Sequence, residues 1–227
     1  MRWLIVTGDD FGASPGINRG ILDAHLDGIL TSASLLVNRP ASAEAVALAR
    51  EHPGLSLGLH LEVDAGDPER AGAECERQLT RFLELAGAPP THLDSHHDVH
   101  RDPRVLPHVL ARARRGGVPV RGHSGARHVG KFYGQWGGVT HPERIGVEGL
   151  LRLLDAEVRE GVTEVSCHPG YVEPGFRSSY LVEREMELRT LCDPRVRQAI
   201  GEREIRLIGF RDMPARATRA AVPEAAT

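Results

Sequence analysis

Residues 3–10 of this 227-residue chain read WLIVTGDD, an apolar run that ends in two carboxylates. The continuous apolar run over 3–7 predicts a strand that is buried on both faces, because such a strand needs no polar alternation. Asp9 and Asp10 follow at its end, and apolar residues then recur at helical spacing, which predicts a helix over 16–27. The stretch therefore predicts a buried strand that carries acidic groups at its carboxyl end and is followed by a helix.

The same alternation of short apolar runs and longer amphipathic segments continues along the chain. Further strands are expected at 30–37, 55–61, 91–94, 118–121, 162–167 and 205–210, and further helices at 42–51, 68–86, 103–114, 147–158 and 181–191, with a short helical turn after Pro194. Residues 122–138 are rich in Gly and His and show no period, which predicts a long functional loop. Regular strand–helix alternation is typical of parallel strands with helical crossovers. About seven parallel strands leave two architectures, an open doubly wound sheet and a distorted, incomplete (β/α) barrel.

Composition indicates one folded domain. Hydrophobic residues make up 41% of the chain and charged residues 26%, so a sizeable core is possible and wholesale disorder is excluded. No apolar run approaches the ~18 residues that span a membrane, and no secretory signal is evident, so we expect no membrane partner. No repeat or linker divides the chain, which predicts a single domain over 1–213 and a flexible tail over 214–227.

Charge and cysteine content exclude further classes of protein. The net charge is −3, and Arg supplies all but one (Lys131) of the 28 basic residues. These residues are scattered, whereas a nucleic-acid partner requires a basic stripe. The three cysteines Cys75, Cys167 and Cys192 are odd in number and far apart. They argue against a disulfide scaffold and a cysteine-based zinc site, and they fit a reducing cytoplasm.

Polar residues follow the predicted strands at the points where those strands end. Five strands contribute them: Asp9 and Asp10, His60, His96 and His97, Arg121, and His168. In parallel α/β folds the carboxyl ends of the strands converge on one face, where active sites are built. A single such residue would mean little, but contributions from five strands indicate a functional site.

Each candidate also has a purely structural interpretation. Asp9 and Asp10 could cap the next helix, and His60, flanked by apolar residues, is in isolation more often a core histidine. His168 could simply terminate its strand. The segment 91–100, however, contains four histidines and two aspartates, which exceeds what a turn requires and favours a metal or catalytic role.

The residues of the glycine-rich loop are less decisive. Tyr133 and Trp136 could stack on a sugar or pack the loop itself. His123, His128 and His141 have the character of solvent-exposed loop residues more often than of ligands.

The residue types that meet at the predicted site suit metal-dependent hydrolysis. One carboxylate and two imidazoles form a three-ligand set that leaves coordination positions open, as catalytic sites require. Such a metal lowers the pKa of bound water and polarises a carbonyl group. A second carboxylate as base and a further histidine as acid would complete the site. The sequence has no phosphate-binding glycine motif and no GxSxG motif, which argues against a nucleotide enzyme and a serine hydrolase.

Several segments resemble the YdjC-like carbohydrate deacetylases, a family that includes chitooligosaccharide deacetylase. The matching segments are TGDDFG at 7–12, residues 30–38, GLH at 58–60, THLDSHH at 91–97, CHP at 167–169 and residues 210–212. The resemblance implies a distorted (β/α) barrel related to polysaccharide deacetylases. It also implies divalent-metal-dependent removal of acetyl groups from an N-acetylated sugar.

The resemblance also implies roles by motif position. Asp10, His60 and His96 correspond to metal ligands, Asp9 to the base and His168 to the acid.

Other positions follow less directly from the resemblance. Three residues are expected to bind substrate: Arg121, Tyr133 and His97. Asp212 is a candidate to orient His168. A late helical motif receives no role, and its members are Tyr180, Arg184 and Glu187.

The chain departs from the family between His60 and Thr91. It has 30 residues there, where relatives carry a longer insertion, so we expect a more open cleft, and the family's particular oligosaccharide specificity does not carry over to this chain.

The resemblance favours Mg²⁺ as the cofactor, whereas two imidazole ligands would suit Zn²⁺ or Co²⁺ better. The expected partners are an N-acetylated sugar or short oligosaccharide and, in a homodimer, a second copy of the chain. Three alternatives stay open: another metal-dependent hydrolase on the same scaffold, a non-catalytic sugar-binding protein, and a metal-handling protein that binds several ions through residues 92–100.

Overall fold

A curled sheet of parallel strands forms the centre of the molecule. The computed structural model describes residues 1–64 and 66–214, and within them the strands are β1 (Arg2–Phe11), β2 (Ser32–Leu35), β3 (Ser56–Leu61), β4 (Leu93–Ser95), β5 (Ala126–Val129), β6 (Gln135–Trp136), β7 (Val139–Thr140), β8 (Gly161–Cys167) and β9 (Ile205–Leu207). Seven of them form the sheet in the order β4-β3-β2-β1-β8-β5, with β9 beside the first residues of β1. All the pairings in this sheet are parallel. The sheet curls into an incomplete barrel, so the distorted-barrel prediction is confirmed and the open doubly wound sheet is wrong.

Helices connect the strands and cover the outer face of the sheet. They are α1 (Pro15–Leu26), α2 (Ser42–Glu51), α3 (Pro68–Ala86), α4 (Leu106–Gly116), α5 (Pro142–Ile145), α6 (Val147–Glu157), α7 (Val182–Leu191) and α8 (Pro194–Glu202), with 3-10 helices at His96–Arg101 and Phe210–Asp212. The predicted bounds of α2 and α3 agree to the residue, whereas the expected turn after Pro194 is the full helix α8. In the part of the chain that the structure describes, no helix combines the length and apolar character needed to cross a membrane. Residues 215–227 of the expected tail lie outside that part.

Local capping explains where two of these helices begin and end. Ser14 Oγ accepts a hydrogen bond from the backbone N–H of Ile17 at the start of α1, and the Asp67 side chain does the same for Arg70 at the start of α3. Both residues satisfy N–H groups that have no partner within the helix. Gly87 ends α3 with a φ of 73°, a left-handed conformation that glycine adopts without steric cost.

Residues 118–121, expected to form the fifth strand, do not form one. They make a single parallel bridge to β4, at Val120. Pro119 has no N–H to donate to a neighbouring strand. Gly117 and Gly122 turn the chain on either side with φ values of 64° and 71°. The two turns and the missing N–H limit the pairing of residues 118–121 to that single bridge.

The predicted loop over 122–138 contains regular structure and was therefore wrong in part. β5 lies within it and pairs with β8, which makes it the seventh strand of the sheet. β6 and β7 form a small hairpin, turned by Gly137 and Gly138 at φ values of 60° and 75°. Strands of two to four residues are too short to show a period, and β5 also carries the polar Arg127 and His128.

The inner face of the curled sheet changes from apolar to polar along the strands. Near the amino ends a small apolar cluster fills the barrel: Ile5, Ala126, Val162, Phe210 and Met213. Towards the carboxyl ends the buried residues are polar: Thr7, Asp9, Ser34, Asp94, Arg121 and Glu164. Burying an unpaired polar group costs free energy. Arg121 accordingly pairs with the three carboxylates and Ser34 bonds to Asp94, whereas Thr7 Oγ1 has no partner among the described residues. The interior of the barrel therefore has an apolar base beneath a polar network.

The buried ring of His92 connects the apolar base to the polar network. One face of the ring stacks on Phe210 with centroids 4.0 Å apart and an interplanar angle of 16°. The backbone of Gly58 approaches the ring so closely that a Cβ at this position would lie 2.3 Å from it. Nε2 of His92 bonds to Ser34 Oγ at 3.0 Å. The ring is therefore held between a strand and the carboxyl-terminal 3-10 helix.

Substituting Gly58→Ala should destabilise the protein, because the added methyl group would overlap the His92 ring. We expect the free energy of unfolding to fall by about 1–3 kcal/mol, measured by urea denaturation. Gly201→Ala is the matched control, since a Cβ there has nothing within 4 Å and alanine favours the helix. Equal stabilities of the two variants would contradict this account.

Candidate active site at the carboxyl end of the barrel

A cavity of about 470 Å³ opens at the carboxyl ends of the strands. The residues predicted to be catalytic, to bind the metal or to bind substrate all line it: Asp9, Asp10, His60, His96, His97, Arg121, Tyr133 and His168. The strand-end argument therefore located the cavity, although it does not assign the role of each residue.

An irregularity in β1 aims Asp10 into the cavity. The pairing register of β1 with β2 shifts between Gly8 and Phe11, and Asp10 adopts a φ of 67°. A left-handed conformation costs a non-glycine residue on the order of 1 kcal/mol or more. Aspartate is among the residue types that tolerate it best. Strain of this kind at the end of a central strand is typical of a functional position.

The carboxylate of Asp10 faces two histidines. Oδ1 lies 3.2 Å from Nδ1 of His96 and 3.6 Å from Nε2 of His60. Oδ2 accepts a 2.6 Å hydrogen bond from Arg184 on α7. Burial raises the pKa of Asp10, but the neighbouring His96 and Arg184 outweigh it and hold the pKa well below its usual range. The carboxylate is therefore ionised at neutral pH.

These three residues fit a divalent metal ion. Asp10, His60 and His96 each offer one donor atom, and these atoms all lie within 4.8 Å of one another. Asp10 Oδ1 is buried and has no hydrogen-bond partner among residues 1–64 and 66–214, which is unfavourable unless a cation binds this oxygen. One oxygen and two imidazole nitrogens suit a transition-metal ion and leave further coordination positions open.

Asp94 holds His60 from the side opposite Asp10. Nδ1 of His60 donates to Asp94 Oδ1 at 2.8 Å, so Nε2 is the nitrogen that faces Asp10. Burial lowers the pKa of His60, but the carboxylates of Asp94 and Asp9 raise it to about 9. The negative charge that favours a proton at this ring also favours a metal cation. A histidine bonded to a carboxylate in this way is the usual arrangement around metals.

Arg121, expected to bind substrate, lies beneath the cavity among carboxylates. Its Nη1 and Nη2 donate to the two oxygens of Asp9 at 2.7 and 2.8 Å. Nη2 also lies 2.7 Å from Asp94 Oδ2, and Nε donates to Glu164 at 2.9 Å. The side chain is only 2% exposed. The N–H groups of Arg121 thus already bond to carboxylates of the protein. This geometry indicates that Arg121 orients Asp9 and does not itself bind substrate.

A second group of donor atoms is less suited to a cation. Asp9, His60 and Asp94 also bring donor atoms within 4.8 Å of one another. Both oxygens of Asp9 and one of Asp94 already bond to Arg121. Its positive charge would repel a metal ion there, which favours the group that contains Asp10.

Glu164 is the third carboxylate around one guanidinium. Its Oε2 is buried and lacks a hydrogen-bond partner in the described part of the chain. Burial raises the pKa of Glu164 to about 7, although Arg121 lowers it. Because Asp9 and Asp94 share the same cation, the Glu164 carboxyl group is partly protonated at neutral pH.

His168 lies across the cavity from the histidine ligands. Its Nε2 is 4.0 Å from Asp9 Oδ2, and its side chain is 25% exposed. Glu187 on α7 accepts a hydrogen bond from the backbone N–H of His168 at 2.5 Å. Burial lowers the pKa of His168 to about 4, although Asp9 and Asp10 raise it. Its Nδ1 is buried without a partner among the described residues.

The expectation that Asp212 orients His168 is wrong. Asp212 accepts a hydrogen bond from the backbone of Gly209 at 3.2 Å. It lies in the 3-10 helix whose backbone bonds to Ser32 and Ser56, the first residues of β2 and β3. These strands begin at the end of the barrel opposite the cavity.

Two aromatic residues of the segment predicted to be a loop, residues 122–138, have different surroundings. Tyr133 lies on the cavity wall with 37% of its surface exposed, and its ring stacks on Tyr180 at 4.5 Å. Trp136 stacks on His141 at 3.4 Å, and Arg144 lies 5.5 Å from its ring. This geometry favours loop packing for Trp136. His128, expected in a solvent-exposed loop, is half-buried on β5 and lines the cavity.

Of two residues that shape the site, Glu164 was missed by the sequence analysis, and Arg184 was named in the late helical motif but received no role. Glu164 is a lone charge within the apolar strand β8, which is the signal that would have identified it. Arg184 lies on α7, where Glu183 and Glu187 are also buried. This helix has no apolar stripe, and its buried charges cannot be distinguished from exposed ones by spacing alone.

Comparison with known proteins identifies the family. The model of the YdjC-like protein family matches residues 3–74 and 65–202. The chain is 36% identical over 249 residues to a carbohydrate deacetylase of Geobacillus stearothermophilus, covering 93% of this chain and 98% of that protein. It is 33% identical over 258 residues to a chitooligosaccharide deacetylase of Serratia marcescens, covering 93% and 99%. The chain belongs to the YdjC-like family.

Solved structures agree with this YdjC-like assignment. A putative cellobiose-phosphate cleavage protein from Enterococcus faecalis superimposes with a TM-score of 0.81 at 28% identity, covering 92% of this chain and 97% of that one. The polysaccharide deacetylase Bc1974 from Bacillus cereus superimposes with a TM-score of 0.60 at 11% identity, covering 93% of each chain. The second likeness shows a shared fold. The family resemblance drawn from the sequence motifs is thus confirmed.

Asp94→Asn should destabilise this YdjC-like protein strongly. Its two oxygens bond to His60, Ser34 and Arg121, and an amide cannot accept at both ends. Removing one partner of a buried charge network costs about 3–5 kcal/mol, which urea denaturation would detect. Asp155→Asn breaks a surface pair with Arg203 and should cost below about 1 kcal/mol. Similar losses for both variants would contradict the assignment.

Glu164→Gln should change how stability depends on pH. The folded-state pKa of Glu164, about 7, exceeds its ordinary value of 4.5. The folded state therefore favours protonated Glu164. The stability that this preference contributes is fully present below pH 4.5 and is lost as the pH rises through 7. Glutamine cannot ionise, so the variant should gain roughly 2–3 kcal/mol relative to wild type between pH 5 and pH 8.

Chemical denaturation at the two pH values would measure this difference. Glu202→Gln, on the surface, is the control and should show no such gain. Parallel pH profiles for Glu164→Gln and wild type would argue that the carboxyl group is ionised throughout.

Proposed function

We propose that this protein is a metal-dependent carbohydrate N-deacetylase that hydrolyses the acetamide of an N-acetylated sugar to acetate and a free amine. The observation that carries the proposal is the buried Oδ1 of Asp10, which no described residue hydrogen-bonds and which faces His60 and His96 in the same cavity as Asp9 and His168. Relatives named carbohydrate deacetylase and chitooligosaccharide deacetylase support the reaction class.

Asp10, His60 and His96 would hold the metal ion. When bound, the ion would polarise the acetyl carbonyl group and make water easier to deprotonate. The family resemblance favours Mg²⁺, whereas the two imidazole donors favour Zn²⁺ or Co²⁺. Reloading the metal-free protein with each ion distinguishes them.

Asp9 would act as the base. Arg121 donates hydrogen bonds to both of its oxygens, which fixes the direction of the carboxylate beside the cavity. An oriented carboxylate can take a proton from water as the water oxygen attacks the acetyl carbon. This step forms the new C–O bond.

His168 would act as the acid. The C–N bond breaks productively only if the leaving nitrogen gains a proton, which the imidazolium form would supply. Burial holds the pKa of His168 at about 4, so the ring is neutral at pH 7 and must gain a proton during the reaction. Asp9, 4.0 Å away, is a source once it has taken the proton of water.

The cavity wall suits a sugar ring. Tyr133 presents a partly exposed aromatic face beside His168, with ring centroids 5.8 Å apart. The C–H groups on one face of a pyranose pack well on such a ring. We propose that Tyr133 binds the sugar and that His97, whose ring lies 3.9 Å from that of His96, contacts it near the metal. Arg121 would act on substrate through Asp9.

The dispersal of the clustered histidines argues against a protein that binds several ions. His92 bonds to Ser34 beneath the site, and His100 bonds to Ser95 and to the backbone of Arg121. Of this cluster, His96 alone joins a group of metal-donor atoms within residues 1–64 and 66–214.

The free cysteines Cys75, Cys167 and Cys192 support a reducing, cytoplasmic location. We also propose that two copies of the chain form a homodimer.

The test is acetate release from the dimer and trimer of N-acetylglucosamine, with chelator-treated protein reloaded with Mg²⁺, Zn²⁺ or Co²⁺. We expect about one ion per chain, activity only after reloading, and loss of ion binding in Asp10→Asn. Asp9→Asn should keep the ion and lose roughly 10²–10⁴-fold in kcat.

Three results would overturn the proposal or redirect it. Ion binding without acetate release would favour a different hydrolase. Sugar binding with turnover unchanged in Asp9→Asn would exclude the assigned base. Several ions per chain would favour the metal-handling alternative.

A further inference from the structure

Three side chains joined by hydrogen bonds lead from the rim of the barrel to the cavity wall. Nη2 of Arg101 lies 2.6 Å from Nδ1 of His128. Nε2 of the same ring lies 2.9 Å from Oγ of Ser166. Arg101 follows the histidine-rich segment, His128 lies on β5 and Ser166 on β8, so three separate elements contribute.

The chemistry of arginine determines which atom donates and which accepts in each of these hydrogen bonds. A guanidinium group carries N–H donors and no acceptor, so Nδ1 of His128 must accept the hydrogen bond. The proton of the neutral ring is then on Nε2, which donates to Ser166 Oγ. With its oxygen accepting from His128, the hydroxyl group of Ser166 is left to donate its own proton elsewhere.

The geometry directs this proton into the cavity. Ser166 is buried at 7% exposure and lines the cavity, and no described residue accepts a hydrogen bond from its hydroxyl. Ser166 lies near the end of β8, two positions before His168, which directly follows the strand, and residues with this spacing in extended backbone point to the same face. The donor therefore lies on the cavity wall on the side of His168.

We propose that Ser166 donates a hydrogen bond to an oxygen atom of the bound acetamido sugar, and that His128 and Arg101 are positioning residues that set its direction. This inference rests on the proposed function for the identity of the ligand. A hydroxyl or carbonyl oxygen of the sugar in this part of the cavity would accept the hydrogen bond. The inference gives a role to His128, which the deacetylation mechanism does not use.

Steady-state kinetics of Ser166→Ala test the contact with substrate. A hydrogen bond made equally in the ground state and the transition state affects KM and not kcat. We expect KM for the N-acetylglucosamine dimer to rise about 3–10-fold, with kcat within about twofold of wild type. A wild-type KM, or a fall confined to kcat, would overturn the inference.

A matched control separates binding from folding. Ser56 is another buried strand serine, and its Oγ bonds to the backbone of Arg211 at the opposite end of the barrel. Ser56→Ala should lower the melting temperature and leave KM unchanged. If Ser166→Ala behaved in the same way, its role would be structural and the inference would fail.

The donor and acceptor roles of His128 can be tested without measuring turnover. ¹⁵N NMR of histidine-labelled protein shows which ring nitrogen carries the proton. We expect His128 to be neutral with its proton on Nε2. Arg101→Met should remove that preference and raise KM about 2–4-fold, since it weakens the orientation of one hydrogen bond. Arg101→Lys keeps a donor without an acceptor and should restore both readouts. A proton on Nδ1 of His128 in wild type would overturn the inference.

Failure of the proposed function gives a different pattern of results. Wild-type protein would then release no acetate, whereas affinity for the N-acetylglucosamine trimer is still measurable by calorimetry in the metal-loaded Asp9→Asn background. Weaker binding after adding Ser166→Ala supports the inference. Unchanged affinity, or no binding of the trimer before that substitution, overturns it.

Discussion

One guanidinium group holds the polar half of the barrel interior together. Arg121 bonds to carboxylates from three strands: Asp9 of β1, Asp94 of β4 and Glu164 of β8. Without this cation three acidic groups would be buried next to one another, which is strongly unfavourable. Arg121 itself lies outside every strand, directly after the single bridge that Val120 makes to β4. The positive charge that stabilises the interior is therefore supplied by residues 118–121, the segment that makes one bridge to β4 and forms no strand.

The same network links the two chemical functions of the site. Asp94 bonds to Arg121 through one oxygen and to His60 through the other. The proposed base, Asp9, and the proposed metal ligand, His60, are thus oriented by one ion pair. Behind it, Ser34 bonds to Asp94 at 2.6 Å and to His92 at 3.0 Å. Each buried polar group is fixed by the next, which keeps the directions of the side chains precise in a region that lacks close apolar packing.

Much of this architecture follows from local sequence patterns, and the exceptions have physical causes. The bounds of α2 and α3 agree with the structure because apolar spacing and clear end signals coincide there. The strand-end rule brought Asp9, Asp10, His60, His96 and His168 to one face. It does not apply to Glu164 and Arg184, which lie within a strand and within a helix. β5 was missed because four residues are too few for a period, and residues 118–121 resemble a strand yet have turns on both sides.

Phe210 lies in the last turn that the structure describes, far along the sequence from the residues that line the cavity. Its ring nevertheless supports His92, and through Ser34 this contact reaches Asp94. A polypeptide therefore lacks the floor of its site until the segment that contains Phe210 has folded against β2 and β3. Fragments shortened before this turn would leave a central imidazole open to solvent.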